Sequence, residues 1–360
     1  MWRKIGRLVG VILGWGVVLA YILFASHLAD EHRAEQQIDE VIISMADSTE
    51  MHRFASSEQI RRQLKKGGFR IEKLAVDSVD AVKISDYISR NGFVRDVDVY
   101  ATYSGKVYID VKQHEPVARL LCGGLNSYIT AEGEVFRSPQ GAAYYAAVVT
   151  GAYRPLFGAK YEGAISQHFT SLVERENNKL SKLGEEFDIL KQKRSRCASR
   201  RSELRKDRKQ GLFESDDDYK YRYEGLMKDI GRCDDTLKMY ASQRKRLEQR
   251  QIAIEARKKK LQKKYDDFAN LLTFVTRVSE DSFWGAEVVQ IVADTTSTGE
   301  ISLRLVPRSG NFIVEFGTLE NEKQKLDKLH NFYNEGLSHI GWEEYRVIDV
   351  RYDKQVICTK

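Results

Sequence analysis

Proline and cysteine are both scarce in this chain of 360 residues. With only four prolines the sequence contains no long proline-rich spacer, and its 42% hydrophobic residues suffice for one or two packed cores. The four cysteines, Cys122, Cys197, Cys233 and Cys358, are widely separated and form no C-x-x-C motif. This spacing excludes a zinc ribbon and a thioredoxin-type redox centre, and it is unlike a disulfide scaffold.

Signatures of catalysis and of cofactor binding are also missing. Gly123-Gly124 lacks the Lys-Ser/Thr of a phosphate-binding loop, and neither G-x-S-x-G nor H-E-x-x-H occurs. Asp216-Asp217-Asp218 lacks the spaced ligands of a calcium loop and is better explained as an acidic helix start. The sequence therefore predicts a protein without catalytic residues, cofactor, metal or small-molecule substrate, and it disfavours a cell-wall enzyme.

One long apolar run lies near the N-terminus, and no second run follows it. Residues 8–26 come directly after the basic residues Arg3, Lys4 and Arg7. This arrangement predicts a single membrane helix with a short cytoplasmic tail at residues 1–7. Because no small-x-small cleavage site follows, an anchor is favoured over a cleaved signal peptide.

The anchor also carries a pattern that is typical of helix contacts in membranes. Gly6, Gly10 and Gly14 lie on one helix face, which would let another helix approach closely, although glycine is also common in isolated membrane helices. After a polar linker at 27–36, roughly 330 residues would then be exported.

Residues 37–116 show a compact alternation of strand and helix patterns. A first strand is indicated around Val41, Ser56-Ser57-Glu58-Gln59 fits a capping box, and a second helix begins near Asp80. Two alternating stretches then flank a tight turn at Ser104-Gly105. The predicted order of elements is β-α-α-β-β.

Strand patterns continue beyond this unit at 127–130, 134–136 and 146–150, stop, and return after residue 285 at 288–293, 301–305 and 312–316. They predict an α+β architecture with a C-terminal mixed α/β domain made of residues 117–167 and 273–360, interrupted by a helical insertion. The last elements predicted are a helix at 319–336 and two strands, 345–352 and 355–359, joined at Asp353-Lys354.

The insertion, residues 168–272, has apolar residues at heptad spacing on both sides of an acidic break. Such a repeat predicts an antiparallel coiled-coil hairpin, with arms of roughly 60 Å at 1.5 Å per residue. If the turn is centred near Ser215, Cys197 faces Cys233, and the two thiols could form a disulfide in an oxidising compartment. A shift by one heptad, with the turn nearer Gly211, would separate them.

The positive charge of the chain is concentrated in this hairpin. Residues 174–266 hold 28 Lys/Arg and 18 Asp/Glu, a net charge of +10 in a chain whose total is +6. A solvated basic face is the simplest explanation, and a second coiled-coil partner or peptidoglycan bound at the hairpin are the alternatives. Nucleic acid is not expected as a partner outside the cytoplasm.

Several segments resemble a known family. Val111–Leu120 (VKQHEPVARL) is similar to the end of the POTRA domain in the cell-division protein FtsQ, with His114 where arginine is usual. Tyr128–Phe136 (YITAEGEVF) is similar to the next element of that family, with Thr130 in place of the usual aspartate. Further segments resemble motifs of a divergent branch of the family: Asp281–Trp284, Leu305–Arg308, Lys325–Leu329 and Tyr345–Val356.

The resemblance covers the anchor and the two strand-rich segments, whereas the hairpin has no counterpart in the family. It implies a non-enzymatic, single-pass inner-membrane protein of the division machinery, with a cytoplasmic N-terminus and its bulk in the periplasm. The implied partners are FtsB- and FtsL-like coiled-coil proteins, bound when a partner strand adds to the C-terminal edge of the β-domain. The residues that match this edge are Arg351, Tyr352, Gln355, Val356, Ile357, Cys358 and Thr359.

Two other interpretations stay open at this point. A POTRA-containing component of polypeptide transport or outer-membrane assembly is one, although such proteins usually carry repeated POTRA units. An edge strand that merely completes its sheet is the simpler explanation of the C-terminal residues.

Overall fold

The computed structural model describes residues 15–26, 37–46, 54–137 and 144–360. A helix at residues 15–26 (α1) covers the second part of the predicted anchor. The first part, with Gly6, Gly10 and Gly14, lies outside the described residues. Within the described ranges, no helix is both long and apolar enough to cross a membrane.

The first sheet has the predicted order of elements. These elements are β1 (Glu40–Ala46), α2 (Ser57–Lys66), a 3₁₀ turn (Val76–Ser78), α3 (Ala81–Ser89), β2 (Val94–Thr102) and β3 (Lys106–Gln113). The central strand β3 pairs in parallel with β1 and antiparallel with β2. At the start of α2 the Ser56 hydroxyl accepts the Gln59 N–H at 3.3 Å, and the Gln59 side chain accepts the Ser56 N–H at 2.8 Å. This reciprocal pair is the predicted capping box.

The hydrophobic core of the first sheet continues into the strands that follow it. The Phe54 ring has its centroid 5.0 Å from that of Tyr128, 5.2 Å from that of Phe136 and 5.0 Å from that of Tyr144. The backbone N–H of Phe54 donates to the side chain of Gln113 at 2.7 Å, so this buried donor is also satisfied. The segment before α2 thus joins the first sheet to the beginning of the second.

A ten-stranded mixed sheet contains the remaining strands. They are β4 (Pro116–Leu120), β5 (Ser127–Thr130), β6 (Glu134–Phe136), β7 (Ala147–Thr150), β8 (Gly163–Ala164), β9 (Val288–Thr295), β10 (Ile301–Pro307), β11 (Ile313–Gly317), β12 (Val347–Asp349) and β13 (Ile357–Thr359). Their order is β13-β12-β11-β10-β9-β7-β4-β5-β6-β8. β7 pairs in parallel with β9, so two strands on either side of the helical insertion are direct neighbours.

Two long helices form the insertion, α4 (Ile165–Lys206) and α5 (Asp216–Glu280). Residues 154–157 and 164–271 make up a compact unit of their own. Contacts between the helices have the antiparallel order expected of a hairpin, since residues early in α4 meet residues late in α5. The contacts are the stacked rings of Phe169 and Tyr265, 4.3 Å apart, and the ion pairs Glu186–Arg250 at 2.9 Å and Arg201–Asp234 at 2.5 Å.

The turn of the hairpin is not where the heptad pattern placed it. The residues between the two helices are 207–215, so the turn is centred on Gly211 and not on Ser215. The expectation that such a turn would separate the cysteines is also wrong, because Cys197 Sγ lies 3.6 Å from the carbonyl oxygen of Cys233. The nine-residue turn is long enough for α4 and α5 to be shifted along each other, so the centre of the turn does not fix which residues face each other.

The remaining helices lie in the C-terminal part of the chain. They are α6 (Trp284–Glu287), α7 (Glu322–Phe332), a π-helical turn (Tyr333–Leu337) and α8 (Ser338–Ile340). The last turns of α5 also belong to this part of the core, where the Phe274 ring lies 5.0 Å from that of Phe316 on β11. The predicted helix at 319–336 is present as a continuous helical run over residues 322–340, shifted by three to four residues, with a π-helical turn inside it.

Candidate functional site

β13 is the last strand of the ten-stranded sheet. It pairs antiparallel with β12, where Asp349 lies opposite Ile357 and Val347 lies opposite Thr359. In the part of the chain that the structure describes, no strand pairs with the outer side of β13. Both strands are shorter than predicted, and the turn between them is at Asp353-Lys354, as predicted.

Side chains of β13 alternate between the two faces of the sheet. Ile357 and Thr359 are exposed, whereas Val356 and Cys358 are half-buried. Cys358 lies opposite the fully buried Ile348, and burial raises the pKa of its thiol. The exposed face of the strand and its outer backbone edge are therefore the parts that another molecule can reach.

An ion pair fixes the chain directly after β12. The Asp349 carboxylate accepts hydrogen bonds from Arg351 Nε at 3.0 and 3.1 Å, from Arg351 Nη2 at 2.5 Å and from the Arg351 backbone N–H at 3.0 Å. Burial raises the pKa of Asp349, but the hydrogen bonds and the charge of Arg351 outweigh it and hold this pKa below its ordinary value. Arg351 is thus held in one orientation while about half of its side chain stays exposed.

Gly317 provides the space for the Arg351 side chain. This glycine ends β11 with φ +75°, a conformation in which L side chains are strained. A Cβ at this position would lie 2.8 Å from Cγ and 3.0 Å from Cδ of Arg351. The ion pair at Asp349 therefore depends on glycine in the neighbouring strand.

Two lysines of α7 hold the loops near this edge. Lys328 Nζ donates to the carbonyl oxygen of Val350 at 2.9 Å and also to that of Tyr352. Lys325 Nζ donates to the carbonyl oxygen of Thr318 at 2.8 Å. Burial lowers the pKa of both lysines. Both lysines satisfy carbonyl groups that no strand partner reaches, and Lys328 positions the loop that carries the exposed Tyr352.

Sequence reasoning identified the strand but not the residues that support it. Asp349 could have been predicted as a partner of Arg351, because both lie in the predicted strand 345–352 and carry opposite charges. Residues two apart on a strand share a face. Gly317 and Lys328 are far from the strand in sequence, and only the folded sheet brings them to it.

The two cysteines of the hairpin lie next to each other, and both are free thiols. Their disulfide stays a prediction. Within the described residues, no group of three His, Cys, Asp or Glu side chains is arranged to hold a metal ion.

Two family models match the chain. Residues 236–359 match a domain described as FtsQ/DivIB, C-terminal related, and residues 36–112 match a POTRA-like domain. The first match includes all of the C-terminal edge and begins within α5. The second coincides closely with the first sheet. No curated protein matches the chain.

Proposed function

We propose that this protein is a non-enzymatic scaffold of the bacterial division machinery, and the matches to an FtsQ/DivIB-related C-terminal domain and to a POTRA-like domain support it. It is anchored by the segment at residues 8–26, with a cytoplasmic N-terminus and its folded domains in the periplasm. It recruits single-span partners of the FtsB and FtsL type by accepting a strand from them beside β13.

The observation that supports this proposal best is the outer edge of β13. An edge strand presents backbone N–H and C=O groups that can pair with an added strand. Addition of a partner strand would supply main-chain hydrogen bonds, and side chains on alternate positions would supply specificity. Ile357 and Thr359 are the side chains of this edge that a partner strand would meet on the exposed face.

The ion pair next to the edge adds a polar element of recognition. Arg351 uses Nε and Nη2 for Asp349, and its exposed half is free to donate to a carboxylate of the partner. Because Asp349 and Lys328 already fix this region, little side-chain and loop entropy is lost when the partner binds. The partner segment is therefore expected to be an extended, mostly apolar strand with an acidic residue near one end.

Photocrosslinking in living cells of the native organism tests the edge. A photoreactive residue replaces Ile357 in the full chain, and Ile313 of β11 is the matched control, because it is the same residue on the same face with equal exposure (40% and 39%). Mass spectrometry identifies the captured proteins.

Capture of small single-span coiled-coil division proteins from Ile357 and not from Ile313 is the expected result. Equal capture from both positions would mean that the partner packs on the face of the sheet. The proposal that the partner adds a strand beside β13 would then be wrong. Capture of secretion or outer-membrane assembly components would favour the transport interpretation.

A further inference from the structure

Two large apolar side chains project from the end of the hairpin. Leu212 and Phe213 lie in the turn between α4 and α5 and are 98% and 104% exposed, so neither has a neighbour that shields it. Burying a leucine and a phenylalanine is among the larger favourable contributions that a protein surface can offer. A pair left fully in water at the end of a long hairpin is therefore a candidate for contact with another apolar phase.

The turn that carries this pair is ordered by a network of hydrogen bonds. The Glu214 carboxylate accepts from Arg222 Nε at 2.6 Å, from Arg222 Nη2 at 2.7 Å and from the Gly211 N–H at 3.0 Å. Arg222 also donates to the carbonyl oxygens of Asp207 and Lys209, at 2.6 and 3.1 Å. These bonds fix the backbone on both sides of the pair, so its exposure is a property of the folded turn.

The helix that leads into the turn is strongly basic. Residues 191–209 hold ten Lys/Arg and two Asp/Glu, a net charge of +8 in 19 residues. Within the described residues, Arg201 is the one member of this group with a salt bridge, to Asp234. Of the other nine cations, eight are exposed, whereas Arg208 is partly buried and donates to Met227 Sδ at 3.4 Å.

The acidic residues on the other side of the turn are partly occupied. Asp216 accepts a hydrogen bond from Gln210 at 2.9 Å, and Asp218 accepts one from Ser215 at 2.6 Å. Together with Asp217 they lie in the first turn of α5, where the helix dipole favours negative charge. The turn and facing arm at residues 210–235 hold eight Asp/Glu and four Lys/Arg, so this end of the hairpin, residues 191–235, keeps a net charge of +4.

We propose that the tip of the hairpin binds an anionic lipid bilayer, with Leu212 and Phe213 inserted at the interface and the basic arm on the headgroups. Exposed Leu and Phe beside clustered Lys/Arg is the combination that binds proteins to anionic membrane surfaces. A protein partner would normally meet a broader apolar patch, whereas the neighbours of this pair in the turn are Gly211 and the ion-paired Glu214. A fluid bilayer needs no such patch, because it requires no shape complementarity.

The test uses the full chain held in nanodiscs of neutral phosphatidylcholine. These discs are mixed with sucrose-loaded vesicles of phosphatidylcholine alone or of phosphatidylcholine and phosphatidylglycerol at about 3:1, and bound protein is measured by sedimentation. We expect at least tenfold tighter binding to the anionic vesicles, decreasing as salt is raised.

The double substitution Leu212→Ser with Phe213→Ser should reduce binding to the anionic vesicles at least tenfold. Ile252→Ser is the control, since it removes a 65% exposed apolar residue elsewhere on α5 and should change nothing.

A second pair of variants tests the charge. Arg205→Gln, Lys206→Gln and Lys209→Gln together remove three exposed charges beside the tip. Lys259→Gln, Lys260→Gln and Lys263→Gln together remove the same charge from α5 far from the tip. Only the first triple variant should lose anionic-vesicle binding.

Equal binding to neutral and anionic vesicles, equal loss in both triple variants, or no effect of the Leu212 and Phe213 substitutions would each overturn the proposal. Association of the discs with one another without vesicles would identify a second copy of the chain as the occupant instead. The proposal does not depend on the division role, so each can fail without the other.

Discussion

The rings of Phe54 and Tyr144 are stacked at 16° with their centroids 5.0 Å apart. The Tyr128 hydroxyl accepts the Tyr144 N–H at 3.1 Å, and Tyr128 itself lies in the second sheet. Phe54 belongs to the core of the first sheet and is 2% exposed. The first sheet and the first strands of the ten-stranded sheet are therefore parts of one hydrophobic core.

Replacement of Phe54 by alanine should destabilise both sheets together. Removing a buried phenylalanine costs about 3–5 kcal/mol of unfolding free energy, from lost burial and the cavity that remains. Urea unfolding of the full chain in mild detergent, followed by tryptophan fluorescence and circular dichroism, should show one transition shifted to lower urea. Val82→Ala, at a 70% exposed apolar residue of α3, is the control and should change stability by less than about 0.5 kcal/mol. Two transitions, with only one of them moved, would contradict the shared core.

Gly317→Ala should weaken partner binding as well as stability. Alanine in the left-handed conformation costs about 1–2 kcal/mol, and its Cβ would also displace Arg351 from Asp349. Gly124→Ala is the matched control, because Gly124 has φ +83° but nothing within 4 Å of its Cβ position. Both variants should lose stability in denaturant titrations, but only Gly317→Ala should lose the crosslink from Ile357. If both variants kept that crosslink, Arg351 would have no part in binding.

The turn of the hairpin should stay ordered down to low pH. Hydrogen bonds from Arg222 lower the pKa of Glu214 from its ordinary 4.5 to about 2. Since this pKa is lower in the folded state, its contribution to stability is fully present above pH 4.5 and is lost as the pH falls from 4.5 toward 2. A carbon-13 NMR titration of the glutamate carboxyls should give Glu214 a midpoint well below its ordinary value of 4.5. In Arg222→Gln the same resonance should titrate near its ordinary value, and an unchanged midpoint would exclude the ion pair as the cause.

Mild oxidation should link Cys197 to Cys233. Cys197 Sγ lies 3.6 Å from the carbonyl oxygen of Cys233, so the two cysteines are neighbours across the hairpin. Cys122 is the internal control, because its side chain is 1% exposed and the oxidant cannot reach its thiol. Non-reducing peptide mapping should find the hairpin pair bridged and Cys122 free. Two free hairpin thiols after oxidation would remove the predicted disulfide.

The first sheet could be predicted almost completely because its signals are local. The Ser56–Gln59 capping box, the Asp80 helix start and the Ser104-Gly105 turn each act within a few residues, and all three are present in the structure. The hairpin was also predictable, since heptad spacing is a local pattern that persists over many turns.

Most strands of the second sheet could also be predicted from alternation, since β5, β6, β7, β9, β10 and β11 lie within two residues of the predicted strands. β4 is not among them, because most of its residues are buried and show no alternation of apolar and polar side chains. Its parallel pairing with β7 leaves no local signal in the sequence. The exposed pair at Leu212 and Phe213 was missed for a related reason, since apolar residues in a short break do not reveal whether they are buried.

The parallel pairing of β7 with β9 also sets the order in which the chain can fold. Val288 follows Thr150 by 138 positions, and at roughly 5–20 residues per second its synthesis takes on the order of 7–28 s longer. During that time β7 has no neighbour on one side, and the hairpin, whose residues 164–271 are synthesised within the same interval, folds from contacts along its own arms. The newly made protein thus passes through a stage with an open sheet, in which the unpaired edge of β7 can pair with another chain.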